Sequence, residues 1–359
     1  MKGTVEDRQK ELGQLYPSWE KKTIWKFFEA TALRFPENDF IVAQGREPVS
    51  YRQAEKEIQA VARGLLAAGV RPGCHVAMQI ENCPEQAFVA LALNAIRAVK
   101  VPVNISLSAR ELGFVLSQSE SEFLVTGCTI KLKQGETGVK KIITLPGAQC
   151  DTDLPITGWE DFLAAGEGFE LSESEDEAYA DEPSDIIYTS GSTKAPKGVV
   201  LTHDMLMRSA FASCMNRGFE IGRRVFVPLP MFHVYGYVEG MLAAILVGGA
   251  VLLKKGKFQA EPVLDFMEES GANDILSVPS QMMALISSLK EHPRKLSALH
   301  AVYCSAAVCP AWVWPAIREH LGVSDLITGY GMTEVCGASM QTAPTDGDDI
   351  LETRVGRLL

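Results

Sequence analysis

Apolar positions along the chain switch repeatedly between helical spacing and short unbroken runs. Ile24, Phe27, Phe28 and Phe35 fall on one helical face, and Pro36 stops that helix. Ser50-x-x-Gln53 is a capping box, opening a helix that carries Leu65 and Leu66 and ends at Gly69. Residues 74–80 read as a strand, and Pro84 is placed like a first-turn proline, starting a helix through about Arg97. Residues 99–103 and 122–126 read as strands on either side of a helix opened by a second capping box, Ser108-x-x-Glu111. Further apolar strand candidates fall at 186–189, 225–228, 250–253, 274–278, 301–304 and 326–328, mostly separated by segments of helical length. Such alternation implies right-handed βαβ units with parallel sheets covered on both faces. The predicted fold class is therefore α/β, with mostly parallel sheets covered by helices. In such folds ligands bind beyond the carboxyl ends of the strands.

Two stretches depart from the rhythm. Acidic residues at 167, 170, 173, 175, 176, 177, 181, 182 and 185 make the stretch 167–185 a solvated connector, expected to mark a boundary between units. The run 240–253 is the longest apolar one, but its 14 residues fall short of the roughly 20 that cross a bilayer. Gly248 and Gly249 split it, so a buried helix followed by a buried strand is expected, with no membrane span.

The chain has 359 residues, 47% hydrophobic and 22% charged, ordinary globular values with room for more than one core. Its net charge of −11 disfavours the phosphate attraction of a nucleic-acid binder. It would also repel an anionic nucleotide, so a nucleotide site must be locally positive or lined with backbone N–H groups. The eight cysteines, at 74, 83, 128, 150, 214, 304, 309 and 336, form no C-x-x-C pair. Scattered in this way they read as reduced, buried thiols of a cytoplasmic protein, and the polar opening 1–10 does not read as a signal peptide.

The strongest chemical signal is Tyr188-Thr-Ser-Gly-Ser-Thr-Lys-Ala-Pro-Lys197-Gly198. An apolar strand runs into a loop where Thr189, Ser190, Ser192 and Thr193 surround Gly191, followed by Lys194 and Lys197. Glycine lets backbone approach, hydroxyl and N–H groups donate to phosphate oxygens, and Lys197 adds a point charge, which suits a phosphate cradle. The common P-loop is excluded, because Pro196 stands where its second glycine should fall and Gly198 follows Lys197.

The string resembles the signature loop Y-T-S-G-[ST]-T-G-x-P-K-G of the AMP-dependent synthetases and ligases, with Lys194 in place of a glycine. Pro230-Met-Phe-His233-Val-Tyr-Gly236 resembles that family's P-x-F-H-x-x-G segment, and Gly329-Tyr330-Gly-Met-Thr333-Glu334 resembles its Y-G-x-T-E segment, in the family's order. Weaker matches at Val49-Ser-Tyr51, Gly69-Val-x-Pro-Gly73 and Val101-Pro-Val-Asn104 extend the resemblance over nearly the whole chain.

The resemblance implies two packed βαβ subdomains of the acyl-CoA synthetase N-terminal type: one near 75–215 with the phosphate loop, another near 10–70 plus 225–345, and the start of an incomplete β-subdomain at 346–359. It implies roles as well. Thr189, Ser190, Gly191, Ser192, Thr193 and Lys197 would hold the β- and γ-phosphates of ATP, and Thr333 the α-phosphate. Glu334, with Thr189, would hold Mg²⁺, a hard cation that prefers oxygen ligands. Tyr330, with Gly331 and Met332, would stack on adenine, and the turn Ser305-Ala306-Ala307 would line its other side, where the family usually carries a glycine. His233, Val234, Tyr235 and Gly236 would border the carboxylate and the acyl pocket. Without its motif, a lone histidine on such a loop would be read as satisfied by backbone. Trp312 and Trp314 are expected in or beside a helix, and Asp346, Asp348 and Asp349 in a loop around Gly347.

The implied chemistry has two steps: a carboxylate attacks the α-phosphorus of MgATP, then coenzyme A attacks the acyl-AMP. The segment Phe232-His-Val-Tyr235 has no carboxylate for a substrate ammonium, so the expected acid lacks an α-amino group. The last residues, 353–359, resemble the family's G-x-V-G-x-P stretch with Thr353 and Leu358 departing from it. Members of the family continue further, through a ribose-binding aspartate and a mobile C-terminal domain with the adenylation lysine. The expectation is a truncated N-terminal part, poorly active and without the thioester step. Two alternatives stand beside this one: an adenylating domain that loads a carrier protein, and a non-catalytic nucleotide- or acyl-binding module. The sequence sets no oligomeric state, a homodimer being one option.

Overall fold

A computed structural model describes residues 3–133, 135–171, 177–189 and 196–359. The chain forms two compact units, one of Met1–Glu20, Thr31–Tyr51 and Leu206–Leu359, the other of Lys21–Ala30 and Arg52–Met205.

The first unit is built on a seven-stranded sheet in the order Asp325–Ile327, Ala301–Cys304, Asp274–Ser277, Arg224–Phe226, Ala250–Leu253, Asp39–Ala43, Val49–Ser50. Neighbours run parallel except for the last pair. Residues such as Ile275, Val302 and Leu326 are buried, so the strands read as unbroken apolar runs rather than alternating ones. Helices Ala260–Glu269, Pro279–Glu291 and Val313–Leu321 supply Phe266, Leu285, Trp314 and Ile317 to the same core. A small antiparallel sheet pairs Gly329–Met332 with Gly337–Gln341, and the latter with Arg357–Leu358.

The second unit has its own seven-stranded sheet, ordered Lys197–Thr202, Pro183–Thr189, Val99–Pro102, His75–Gln79, Phe123–Thr126, Lys141–Thr144, Ile156–Gly158. It too is parallel except at one edge. Pro84 opens the helix Pro84–Ala95 at its first turn. Ser108 caps the helix Ala109–Gln118, with Glu111 Oε2 accepting from the Ser108 N–H at 2.8 Å.

The expected α/β class is thus met, with most strands within two residues of their sequence-derived positions. Two expectations need correction, and a third is met with an added detail. The acidic stretch lies inside the second unit, because Pro183 already starts a sheet strand and the chain leaves that unit only after Met205. Asp348 and Asp349 lie in the first turn of a helix, Asp348–Thr353, with Gly347 at its N-cap; acidic groups there complement the helix dipole, so the segment coils instead of looping. The apolar run does form helix then strand, but the helix begins as a π-helical turn, Tyr237–Leu242, before Ala243–Leu246.

Candidate active site

In the first unit the strand Arg224–Phe226 lies between Ala250–Leu253 and Asp274–Ser277, so the chain crosses to one neighbour and then returns to the other. Such a switch point opens a crevice beyond the carboxyl ends of the strands. His233, the turn Ser305–Ala307, and Thr328 with Gly329 all follow those ends and line one cavity of about 750 Å³.

His233 caps the short helix Val234–Gly236, its Nδ1 accepting from the Tyr235 N–H at 3.2 Å. That bond leaves the proton of the neutral ring on Nε2. Burial lowers the His233 pKa, so the ring is neutral at pH 7. Backbone satisfaction and a place on the cavity wall hold together for this residue. Val234 and Tyr235 also line the cavity, and the Tyr235 hydroxyl donates to the Tyr303 carbonyl at 2.8 Å, which fixes the wall. Gly236 does not line it. A Cβ there would stand 2.7 Å from the Pro230 carbonyl oxygen, so this glycine permits close packing of backbone.

The turn after Ala301–Cys304 is pinned twice at its first residue, Ser305. The Ser305 N–H donates to the Ser277 carbonyl at 3.1 Å, and its hydroxyl to the Gly329 carbonyl at 2.6 Å. Ala306 sits at φ +70°, the left-handed region that favours glycine, which is the residue the family resemblance led us to expect in this turn. Facing the turn's serine, Gly329–Met332 lies so close to its partner strand that a Cβ on Gly331 would stand 1.9 Å from the Gly337 carbonyl oxygen. Tyr330 is thereby presented at the cavity with 51% of its surface exposed, and Gly331 and Met332 line the same wall.

Thr333 and Glu334 follow in a one-turn 3₁₀ helix, Thr333–Val335, ended by Cys336 at φ +63°. Thr333 is buried and Glu334 exposed, and neither is part of the cavity lining. In the second unit, Thr189 and Lys197 are direct partners across an antiparallel hairpin, as are Tyr188 and Gly198. Lys197 is exposed and Thr189 half-buried. Ser190, Gly191, Ser192, Thr193 and Lys194 lie outside the described residues.

One functional candidate escaped sequence reasoning. Glu239, in the π-helical turn, is 1% exposed and lines the cavity. Its Oε1 accepts from the Ala338 N–H at 3.2 Å, and its Oε2 from Ser213 Oγ and from Gln341 Nε2 at 3.3 Å, with Arg217 Nη1 3.6 Å away. Burial raises its pKa, against the pull of Arg217. Arg217 is held in turn by Asp274, Nη2 to Oδ2 at 2.7 Å. The available signal was a single acid in the apolar run 234–247. Trp314, expected only as helix packing, is buried in Val313–Leu321 and also reaches the cavity wall.

A family model of AMP-binding enzymes matches residues 28–359. YngI of Bacillus subtilis (strain 168) is 29% identical over 350 residues, covering 90% of this chain and 63% of that protein. Oxalate–CoA ligase of Arabidopsis thaliana is 27% identical, covering 88% of this chain and 61% of that protein. The chain therefore spans about three fifths of the curated relatives it matches. The N-terminal domain of FACL13 from Mycobacterium tuberculosis, solved with an inhibitor, superposes with a TM-score of 0.80 at 21% identity, covering 94% of this chain and 82% of that one.

Proposed function

This chain belongs to the AMP-binding enzyme family, and on that premise we propose that it activates a carboxylic acid with ATP to an acyl-AMP, which coenzyme A then converts to a thioester. The observation that carries the reading is the exposed ring of Tyr330 on one wall of an apolar cavity, tied by Ser305 to the turn that carries Ala306 and Ala307. Two flat surfaces with a backbone-rich wall suit a purine, which stacks on aromatic and peptide planes.

In this reading Tyr330, Gly331, Met332 and the turn Ser305–Ala307 hold the base, and His233 with Tyr235 borders the reacting carboxylate. His233, neutral and with its proton on Nε2, donates a hydrogen bond toward the acyl group without adding charge. The hairpin ends Thr189 and Lys197, with Ser190 to Thr193, hold the triphosphate, and Thr333 the α-phosphate. Lys197 supplies positive charge where phosphates would otherwise meet an acidic protein. Because displacement at phosphorus asks mainly for position and charge neutralisation, these residues bind and orient rather than react.

Glu334 is an exposed carboxylate on a rigid turn, and Mg²⁺ is commonly held by one or two carboxylates together with substrate phosphates. Glu334 supplies the oxygen donor that such an ion prefers and would help to hold it, neutralising phosphate charge.

The acid lacks an α-amino group. Two carboxylates line the cavity among the described residues, Glu239 and Glu352; Glu239 is the one in the chain segment that follows His233, and its oxygens are taken by Ala338, Gln341, Ser213 and Arg217. A substrate ammonium there would be buried without a counter-ion. Pyrophosphate release tests this: alkyl or aryl acids are expected to support it and amino acids are not. Release confined to amino acids would overturn the assignment. Coenzyme A offered against a carrier-bound phosphopantetheine thiol identifies the acceptor.

A further inference from the structure

Several polar side chains of the cavity are spent inside the fold. Tyr235 donates to the Tyr303 carbonyl at 2.8 Å, Ser305 to the Gly329 carbonyl at 2.6 Å, and Glu239 accepts from Ala338, Gln341 and Ser213. Two donors are not spent. Trp314 is 1% exposed and borders the cavity, and its Nε1–H meets no acceptor among the described residues. A buried indole N–H ordinarily finds a partner, because leaving it without one is costly. Arg354 also borders the cavity, is exposed, and its guanidinium makes no hydrogen bond or ion pair with a described residue. Only its backbone N–H is engaged, closing the helix Asp348–Thr353 on the Ile350 carbonyl at 2.9 Å.

The packing of two helices brings these donors to one end of the cavity. Arg318 Nε reaches Asp348 Oδ1 at 3.0 Å, which ties the middle of Val313–Leu321 to the first turn of Asp348–Thr353. Trp314 stands one turn before Arg318, and Leu351 one turn after Asp348, and both belong to one core cluster. The helices therefore pass each other in opposite directions. Arg354, directly beyond the second helix, comes to the end where Trp314 lies. Val308, Leu351 and Val355 make the rest of this wall apolar.

We propose that this wall receives the far end of the acid and that the acid carries a second carboxylate there, so that the substrate class is a dicarboxylic acid held by Arg354 and Trp314. The proposal deepens the acyl-adenylate reading of the cavity and rests on it. Indole and guanidinium nitrogens donate and never accept, so their partner must be an acceptor. A carboxylate has acceptor sites enough for both, and its plane matches the guanidinium fork. A plain alkyl end would give neither donor a partner, and an ammonium end would be refused by both. The reacting carboxylate stays with His233, at the other side of the assignment.

Two features limit the size of the effect. Arg354 is exposed, so water and salt screen its pair with a carboxylate. Glu352, also exposed, borders the cavity two residues before Arg354 without pairing with it, and repels a second carboxylate. A preference of about tenfold is therefore expected, rather than the far larger discrimination of a fully buried polar pocket.

The test is calorimetric titration of the chain with matched non-hydrolysable acyl-adenylates in a series of increasing chain length. Each length is offered as a plain alkanoyl analogue, as the same chain ending in a carboxylate, and as the methyl ester of that carboxylate. In wild type the best carboxylate-ended analogue is expected to bind about tenfold tighter than its plain and ester partners. In Arg354→Gln this advantage is expected to fall to about twofold or less, and Arg354→Lys is expected to recover part of it. Trp314→Phe keeps the ring and removes the N–H, and is expected to lower the advantage as well. Glu352→Gln is expected to raise it. The advantage is a ratio read within each protein, so a variant that is merely less stable does not move it. A plain analogue that binds wild type as tightly as its carboxylate-ended partner, or an advantage that survives whole in Arg354→Gln, would overturn the proposal. Absence of binding by every analogue to a folded chain would instead remove the adenylate reading on which it stands.

Discussion

Replacing Glu239 by alanine is expected to destabilise the first unit by about 3–5 kcal/mol, the usual cost of removing one partner from a buried ion pair. The figure can be reached a second way. The carboxylate accepts from the Ala338 N–H and the Gln341 amide, and each donor left buried without an acceptor costs about 1–3 kcal/mol. Arg217 keeps Asp274 at 2.7 Å, so the loss is that of one anion and not of the whole cluster. Glu239→Gln keeps the shape and one acceptor oxygen, and its expected cost is smaller, about 1–3 kcal/mol. Urea unfolding followed by circular dichroism gives both values from the midpoint and slope. Because Glu239 binds the strand that pairs with Tyr330, both variants are also expected to weaken acyl-adenylate binding, alanine more than glutamine. An alanine variant within about 1 kcal/mol of wild type would show that these four contacts do not carry the buried base of the site.

Ala306→Gly removes a side chain from left-handed backbone at φ +70° and is expected to stabilise the chain by roughly 0.5–1 kcal/mol, read as a higher urea midpoint; a loss of stability would contradict the strain. His203, in the second unit, is 1% exposed, and burial, then the charges of Lys100 and Arg97, lowers its pKa to about 3. Its folded pKa lies below its unfolded one, near 6.5, so this contribution is whole above pH 6.5 and is lost as pH falls toward 3, by up to about 1.4 kcal/mol per unit. His203→Gln is expected to flatten the urea midpoint between pH 6.5 and 4, and an unchanged slope would refute the assignment.

Much of the fold is legible because the same physics writes the strands and the pattern. Residues 250–253 and 301–304 are strands at the positions the apolar runs give, since strands covered on both faces have no polar side to interrupt them. Pro84 and Ser108 mark helix starts because a missing N–H and a side-chain acceptor suit that turn alone. The antiparallel edge Lys197–Thr202 was harder to see. At the sheet edge only Leu201 is buried while Lys197, Gly198 and Val200 are exposed, and its apolar run is just three residues, Val199 to Leu201, too short to announce a strand. The π-helical turn is equally silent, because helical spacing looks alike over six residues. Of the site, the histidine and the Tyr330 strand were readable as motifs. Glu239 was not, because its partners Ser213, Ala338 and Gln341 are distant in sequence and meet only through the fold.

The most direct test of the account is calorimetric titration of the chain with a non-hydrolysable acyl-adenylate carrying an alkyl or aryl acyl group. Saturable binding of one analogue per chain is expected, weakened about 10- to 100-fold in Tyr330→Ala, since stacking of a base on an aromatic ring contributes about 1–3 kcal/mol. Equal affinity in wild type and Tyr330→Ala, or no binding by a folded chain, would contradict it.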